Sequence, residues 1–117
     1  MSTDEIPVVM IGKIPPLPGE KKYTAGVKYD SAKPDWTLFP FSAAERVVRV
    51  LEFGAKKYAR DNWQKVPDGE RRYMSAALRH LIARQSGEIN DPESGLPHLA
   101  HAGCCVLFAL WFDSKNK

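Results

Sequence analysis

At 117 residues the chain has room for one domain with a single modest core. Its 44% hydrophobic and 26% charged residues are ordinary globular composition and exclude a disordered chain. The formal charge of +3, spread along the sequence rather than gathered in one stripe, speaks against a duplex nucleic-acid binder; it suits an anionic small molecule where basic groups converge.

The opening residues Met1-Ser-Thr-Asp-Glu-Ile lack a basic stretch leading into an apolar one, so a cytoplasmic location is expected. The longest apolar run, Ala102 to Phe112, falls short of the ~18 residues a membrane span requires and reads as a buried core helix, with no membrane partner. Cys104 and Cys105 sit inside that run. Neighbours on one helix point about 100° apart and cannot easily bridge, so both read as reduced core cysteines.

Six of the nine prolines fall within residues 1–41, where no helical period is visible. Proline fixes φ and removes a donor, so residues 1–27 are expected as an extended arm, with Val8 to Ile11 a candidate short strand. Residues 28–117 are expected as a helical domain. Ser42-Ala-Ala-Glu45 has the form of a capping box. The helix it opens carries Ala44, Val47, Val48, Leu51, Ala55 and Tyr58 at helical spacing. Glu45–Arg49 and Glu52–Lys56 are i,i+4 pairs on its solvated face.

A second helix is expected from about Asp68 to Gly87, which suits a C-cap. Met74, Ala77, Leu78, Leu81 and Ile82 form its main apolar stripe, beside a seam of Tyr73, Ala76, His80 and Ala83. The third helix, with Pro97 in its first turn, runs to about Phe112. Being apolar nearly all round, it should be the central element. The fold class expected is therefore all-α: a small bundle of three main helices with an extended Pro-rich N-terminal arm. Three helices alone would cover the third poorly, so a homo-oligomer, dimer or tetramer, is expected to complete the bundle.

Several familiar machines are absent. There is no Gly-x-x-x-x-Gly-Lys-Ser/Thr loop, no Gly-x-Gly-x-x-Gly, no His-Asp dipeptide, no Pro-Cys-x-x-Cys and no Gly-x-Ser-x-Gly elbow. What remains is concentrated. All three histidines lie within 22 residues, His80 to His101, with Glu88, Asp91 and Glu93 between them. His98-x-x-His101 share one helix face, His80 projects from the neighbouring helix, and a short linker carries the acids over both ends. Imidazole and carboxylate together suit Mn²⁺, Fe²⁺ or Zn²⁺; oxygens alone suit Mg²⁺. The competing reading makes the histidines satisfied core residues and Asp91-Pro-Glu-Ser94 turn and cap chemistry.

A second cluster, Lys57-Tyr58 with Asn62-Trp63, has the makings of a nucleotide grip: point charge, a base-edge reader and stacking rings. It equally fits core packing beside a solvated helix end. Lys28 and Lys33, with Tyr29 and Trp36, divide in the same way. Arg79 would meet a phosphate or lie exposed.

Lys28-Tyr-Asp-x-x-Lys33-Pro, Phe53-Gly-Ala-x-Lys57-Tyr with Asn62-Trp63, Arg79-His80-Leu, and Gly87-Glu-x-x-Asp-x-Glu-Ser-Gly-Leu-x-His98-x-x-His101-Ala resemble, in order and spacing, the phage-type dATP/dGTP diphosphohydrolases. The resemblance runs from about Lys28 to about Phe108. It implies hydrolysis of a purine deoxynucleoside triphosphate to monophosphate and pyrophosphate with a divalent metal, commonly Mg²⁺. That family is similar in turn to the all-α pyrophosphohydrolases of the MazG type, whose Glu-x-x-Glu and Glu-x-x-Asp helices hold Mg²⁺. Here His98-x-x-His101 stands where Glu-x-x-Asp would be, and the second helix has no Glu-x-x-Glu.

The expected metal ligands are drawn from His80, Asp91, Glu93, His98 and His101. Glu88, Asp91 and Glu93 are the candidate catalytic acids. Lys28, Lys33, Lys57, Tyr58, Asn62, Trp63 and Arg79 are the candidate substrate-binding residues, with a purine nucleotide as the expected ligand. The alternative is a sequestering protein that binds nucleotide in the same pocket without turnover.

Overall fold

The computed structural model describes residues 25–116, so the candidate strand at Val8 to Ile11 lies outside the described residues. Three helices carry the structure: α1 (Phe41–Lys57), α2 (Gly69–Gln85) and α3 (His98–Lys115). A short 3-10 turn, Asn62–Lys65, lies between α1 and α2. Among the described residues there is no strand, only an isolated bridge between Asn90 and Pro97. The all-α bundle is thus as the periodicity requires. Pro40–Lys117 is one compact unit. Residues 25–39 belong to a separate one, where Asp35 caps the 3-10 turn Trp36–Leu38. No described helix is long and apolar enough to cross a membrane.

α1 begins two residues earlier than its capping box suggests. Pro40 is the cap residue, and its carbonyl accepts from the Ala44 N–H at 2.9 Å. Ser42 is therefore already inside the first turn and caps nothing. Arg49 spans both acids of the solvated face, 3.3 Å from Glu45 and 3.0 Å from Glu52, so Glu52 pairs back to Arg49 rather than forward to Lys56. α2 ends as read, with Gly87 at φ +107° just past Ser86.

α2 and α3 run antiparallel and form the closest helix pair. The contacts keep one register along the seam: Gly69 faces Phe112, Tyr73 faces Phe108 and His80 faces His101. A Cβ at Gly69 would lie 2.3–2.8 Å from the Phe112 ring, so only glycine lets the two helices approach there. The seam therefore follows the row of Tyr73, Ala76, His80 and Ala83, joined from the aliphatic stripe only by Ala77, which is 2% exposed. Met74, Leu78, Leu81 and Ile82 remain 45%, 54%, 42% and 65% exposed.

α3 is correspondingly buried on one side only. Ala100, Ala102, Cys104 and Ala109 are inside, while Leu99, Val106, Leu107 and Leu110 are exposed. α1 packs on α3 through Val47 and Val50, which cluster with Ala100, Cys104, Leu96 and Phe108. Both cysteines are free. Burial pushes the Cys104 thiol up to about 12 and Cys105 to about 11, which marks them as inert packing groups.

Trp63 closes the end of the seam. Its ring stacks on Phe108 at 4.0 Å and 7°, and meets Trp111 and Phe112 edge-on. Such a packed aromatic contributes through the area it removes from water and through ring geometry. Trp63→Ala should cost roughly 3 kcal/mol of unfolding free energy, the lower part of the range for truncating a core aromatic. Denaturant unfolding checks this. A midpoint unmoved by the change would mean that the ring serves the cavity rather than the core.

Candidate metal and nucleotide site

The linker from Gly87 to Pro97 is a miniature hairpin laid against the start of α3. The Asp91 N–H donates to the Leu96 carbonyl at 2.8 Å, and the His98 N–H donates to Ile89 at 2.9 Å. Gly95, at φ +74°, makes the reversal, a left-handed conformation that glycine adopts without strain. The Asp91 carboxylate accepts from the Ser94 N–H at 2.9 Å, an Asx turn that aims it at the histidines.

Three histidines then meet between α2 and α3. His80 Nδ1 and His98 Nδ1 are 2.8 Å apart, and the His80 ring stacks on His101 at 4.6 Å and 15°. His98 is 4% exposed and His101 9%. Each has a further partner. His98 Nε2 lies 2.7 Å from Glu88 Oε1, and His101 Nε2 lies 2.6 Å from Ser94 Oγ and 3.9 Å from Asp91. No buried side-chain nitrogen or oxygen among the described residues lacks a partner.

The electrostatics favour neutral rings at His80 and His101 beside an ionised Asp91. Burial, reinforced by the neighbouring His101 and His98, pushes His80 below the ordinary histidine value. Burial does the same to His101 against the pull of Asp91. Asp91 moves the other way from what its own burial dictates. Hydrogen bonding by Ser94, with His101 and His80 nearby, holds its carboxyl below the usual carboxylate range. Neutral imidazole and ionised carboxylate are the forms that bind metal.

His80, Asp91 and His98 each offer a ligand atom, and these three atoms lie within 4.8 Å of one another. A divalent cation fits this donor set. The other two expected ligands stand apart from it. His101 Nε2 is engaged by Ser94, and Glu93 is drawn away by Lys57 Nζ at 2.6 Å. That ion pair holds both the acid expected at the metal and the lysine expected at the phosphates. Its hydrogen bond, with a second to Tyr58, raises the Lys57 pKa.

Beside the histidines lies a cavity of about 640 Å³, within the range of small-molecule sites. Its floor is His80, His101 and Asp91, and its rim carries Lys57, Glu93 and Tyr58. Asn62, Trp63, Tyr73 and Phe108 line the remaining wall. The α1 row of Val48, Leu51, Ala55 and Tyr58 faces this space, which is why it stays accessible although its spacing reads as core.

Of the expected substrate-binding residues, Lys57, Tyr58, Asn62 and Trp63 are brought together, although Phe108 already takes one face of Trp63. Arg79 is not brought there: its guanidinium donates to Ser75 Oγ at 2.9 Å, one turn back along the exposed side of α2. Lys28 and Lys33 are exposed residues of the separate N-terminal unit. Glu88, expected among the catalytic acids, supports His98 outside the cavity lining.

Sequence reading gives Ser94 only a capping role and overlooks Arg60 and Asp61, which lie at the cavity. The sole signal for Ser94 is its place between Asp91 and His98. Arg60 and Asp61 carry none, since Asp61 reaches the cavity through a left-handed turn at φ 62°.

A family model described as "dATP/dGTP diphosphohydrolase, N-terminal" matches residues 23–117. A protein of Salmonella phage PMBT28 named dATP/dGTP diphosphohydrolase is 36% identical over 86 residues, which is 74% of this chain. The match covers 29% of that relative, so the chain spans under a third of its length. No solved structure matches. With the family model covering the whole of the helical unit and its site, the chain belongs to the dATP/dGTP diphosphohydrolase N-terminal family.

Proposed function

We propose that this chain hydrolyses a purine deoxynucleoside triphosphate, dATP or dGTP, to the monophosphate and pyrophosphate with the help of a divalent metal. One observation carries the reading: a nucleotide-sized cavity has metal-binding donors, His80 and Asp91, on its floor and a lysine on its rim. Family membership and the name of the phage relative support the substrate class.

His80, Asp91 and His98 would hold a divalent cation, which when bound would supply Lewis acidity toward a phosphate oxygen and acidify water. The chain's own groups do the rest. Lys57 offers positive charge to the phosphates where charge develops on the leaving pyrophosphate, exchanging Glu93 for the incoming oxyanions. Glu93, once released, is the carboxylate at the rim available to take a proton from water. Tyr58, 65% exposed at the cavity with Lys57 Nζ 5.2 Å from its ring centre, presents its ring to the base, and Asn62 an amide to its edge.

A binding-only reading has one observation in its favour, because Glu88 and Glu93 are both engaged by cationic or hydrogen-bonding partners. Product analysis separates the two. Incubation with dATP or dGTP and each divalent metal should release pyrophosphate and monophosphate, and Glu93→Gln should lower kcat far more than it weakens nucleotide binding. Tight binding with no product under any metal would establish the sequestering protein instead.

We further propose that the protein works as a homo-oligomer, a dimer or tetramer. Support comes from the aliphatic rows of α2 and α3, which stay open on a unit that fully buries no large side chain among those described. Sedimentation should find more than one chain per particle, and Ile82→Glu, at the most exposed of the large apolar positions of α2, should dissociate it. A monomeric wild-type chain would contradict this.

A further inference from the structure

The donor set at the α2–α3 seam is rich in nitrogen, and its parts are held by different means. We propose that His80, Asp91 and His98 form a two-histidine, one-carboxylate site that selects a first-row transition ion over Mg²⁺, and that Glu88 is the positioning residue that fixes His98 for it. This deepens the metal-dependent reading above and rests on it.

The selectivity follows from the ligand atoms. Mg²⁺ is a hard ion that takes oxygen ligands and keeps much of its water. Two imidazole nitrogens and one carboxylate with open positions suit Mn²⁺, Fe²⁺, Co²⁺ or Zn²⁺. The two Nδ1 atoms stand 2.8 Å apart, a spacing that one ion bridges with two ordinary metal–nitrogen bonds of about 2.1 Å. A magnesium site would need more oxygen, but the acids that would provide it are committed elsewhere, Glu93 to Lys57 and Glu88 to His98.

Glu88 decides which nitrogen of His98 is available. A carboxylate only accepts, so the 2.7 Å contact requires a proton on His98 Nε2. In the neutral ring, Nδ1 then carries a lone pair, and it is Nδ1 that faces His80. Without an ion, His80 Nδ1–H donates to that lone pair. With one, both Nδ1 atoms would offer lone pairs and the His80 proton would reside on its other nitrogen. This is the carboxylate–histidine arrangement that orients metal-bound imidazoles. Ser94 does the same for Asp91, through its N–H at 2.9 Å. Glu88 itself is exposed and outside the cavity lining, so it reaches the site only through His98.

The test uses Co²⁺ as a coloured probe on metal-free full chain. Wild-type protein should develop a visible ligand-field band with one Co²⁺ equivalent, and a large excess of Mg²⁺ should not remove it. Glu88→Ala should weaken Co²⁺ binding about 10–100-fold with helical content unchanged. Glu88→Gln keeps an acceptor oxygen for the Nε2–H and should recover most of that affinity. Displacement of Co²⁺ by Mg²⁺, or an affinity that Glu88→Ala leaves untouched, would overturn the inference while leaving a divalent-metal enzyme standing. Absence of any band in the wild type would overturn the inference together with its ligand set, and pyrophosphate release would then show whether hydrolysis survives without that set.

Discussion

The Nδ1 atoms of His80 and His98 stand 2.8 Å apart where α2 passes the start of α3, and most of the local structure is arranged to permit that approach. Two polar rings brought this close in a largely dry seam must share a proton or share an ion. Neither ring is free to leave. His98 is tied to Glu88 across the linker, and His80 is pressed flat against His101. The linker in turn is folded by its own backbone bonds onto the first residue of α3, so Asp91 and Glu88 reach the histidines from one short piece of chain.

That constraint explains the uneven packing elsewhere. The helix pair that brings the imidazoles together is also in contact further along, in the antiparallel register of Gly69 with Phe112 and Tyr73 with Phe108. The face of α2 turned inward is thus the one bearing Gly69, Tyr73 and His80, and the larger aliphatics Met74, Leu78 and Ile82 are turned out. The site and the exposed apolar rows are two consequences of one rotation of α2. Beside α2 on the same buried side of α3, α1 packs through Val47 and Val50 and leaves an open space above His80 and His101, which is the cavity.

The helices themselves were legible because periodicity and punctuation agreed: Gly87 past the end of α2, Pro97 at the start of α3, and apolar spacing between. The histidine and acid cluster was also legible, since proximity in sequence across a tight helix–linker–helix turn guarantees proximity in space. Which face of α2 packs was not. Hydrophobicity ranks Leu78 and Ile82 above Tyr73 and His80, but helix approach is decided by shape, and the glycine at 69 is the feature that settles it. The division of labour among the acids was hidden for a related reason. Lys57 and Glu93 are far apart in sequence, and their 2.6 Å pairing exists only once α1 and the linker are folded onto α3. Trp63 reads equally as a stacking platform or as core until Phe108 is seen against its face.

Metal binding at the seam depends on the tautomer of His98, whose Nε2 lies against Glu88 and whose Nδ1 is turned toward His80. Long-range proton–nitrogen NMR of the metal-free protein at neutral pH reads this directly, because protonated and bare ring nitrogens resonate far apart. The account predicts that His98 carries its proton on Nε2 with Nδ1 bare. A proton on His98 Nδ1, whether alone or together with Nε2, would contradict it.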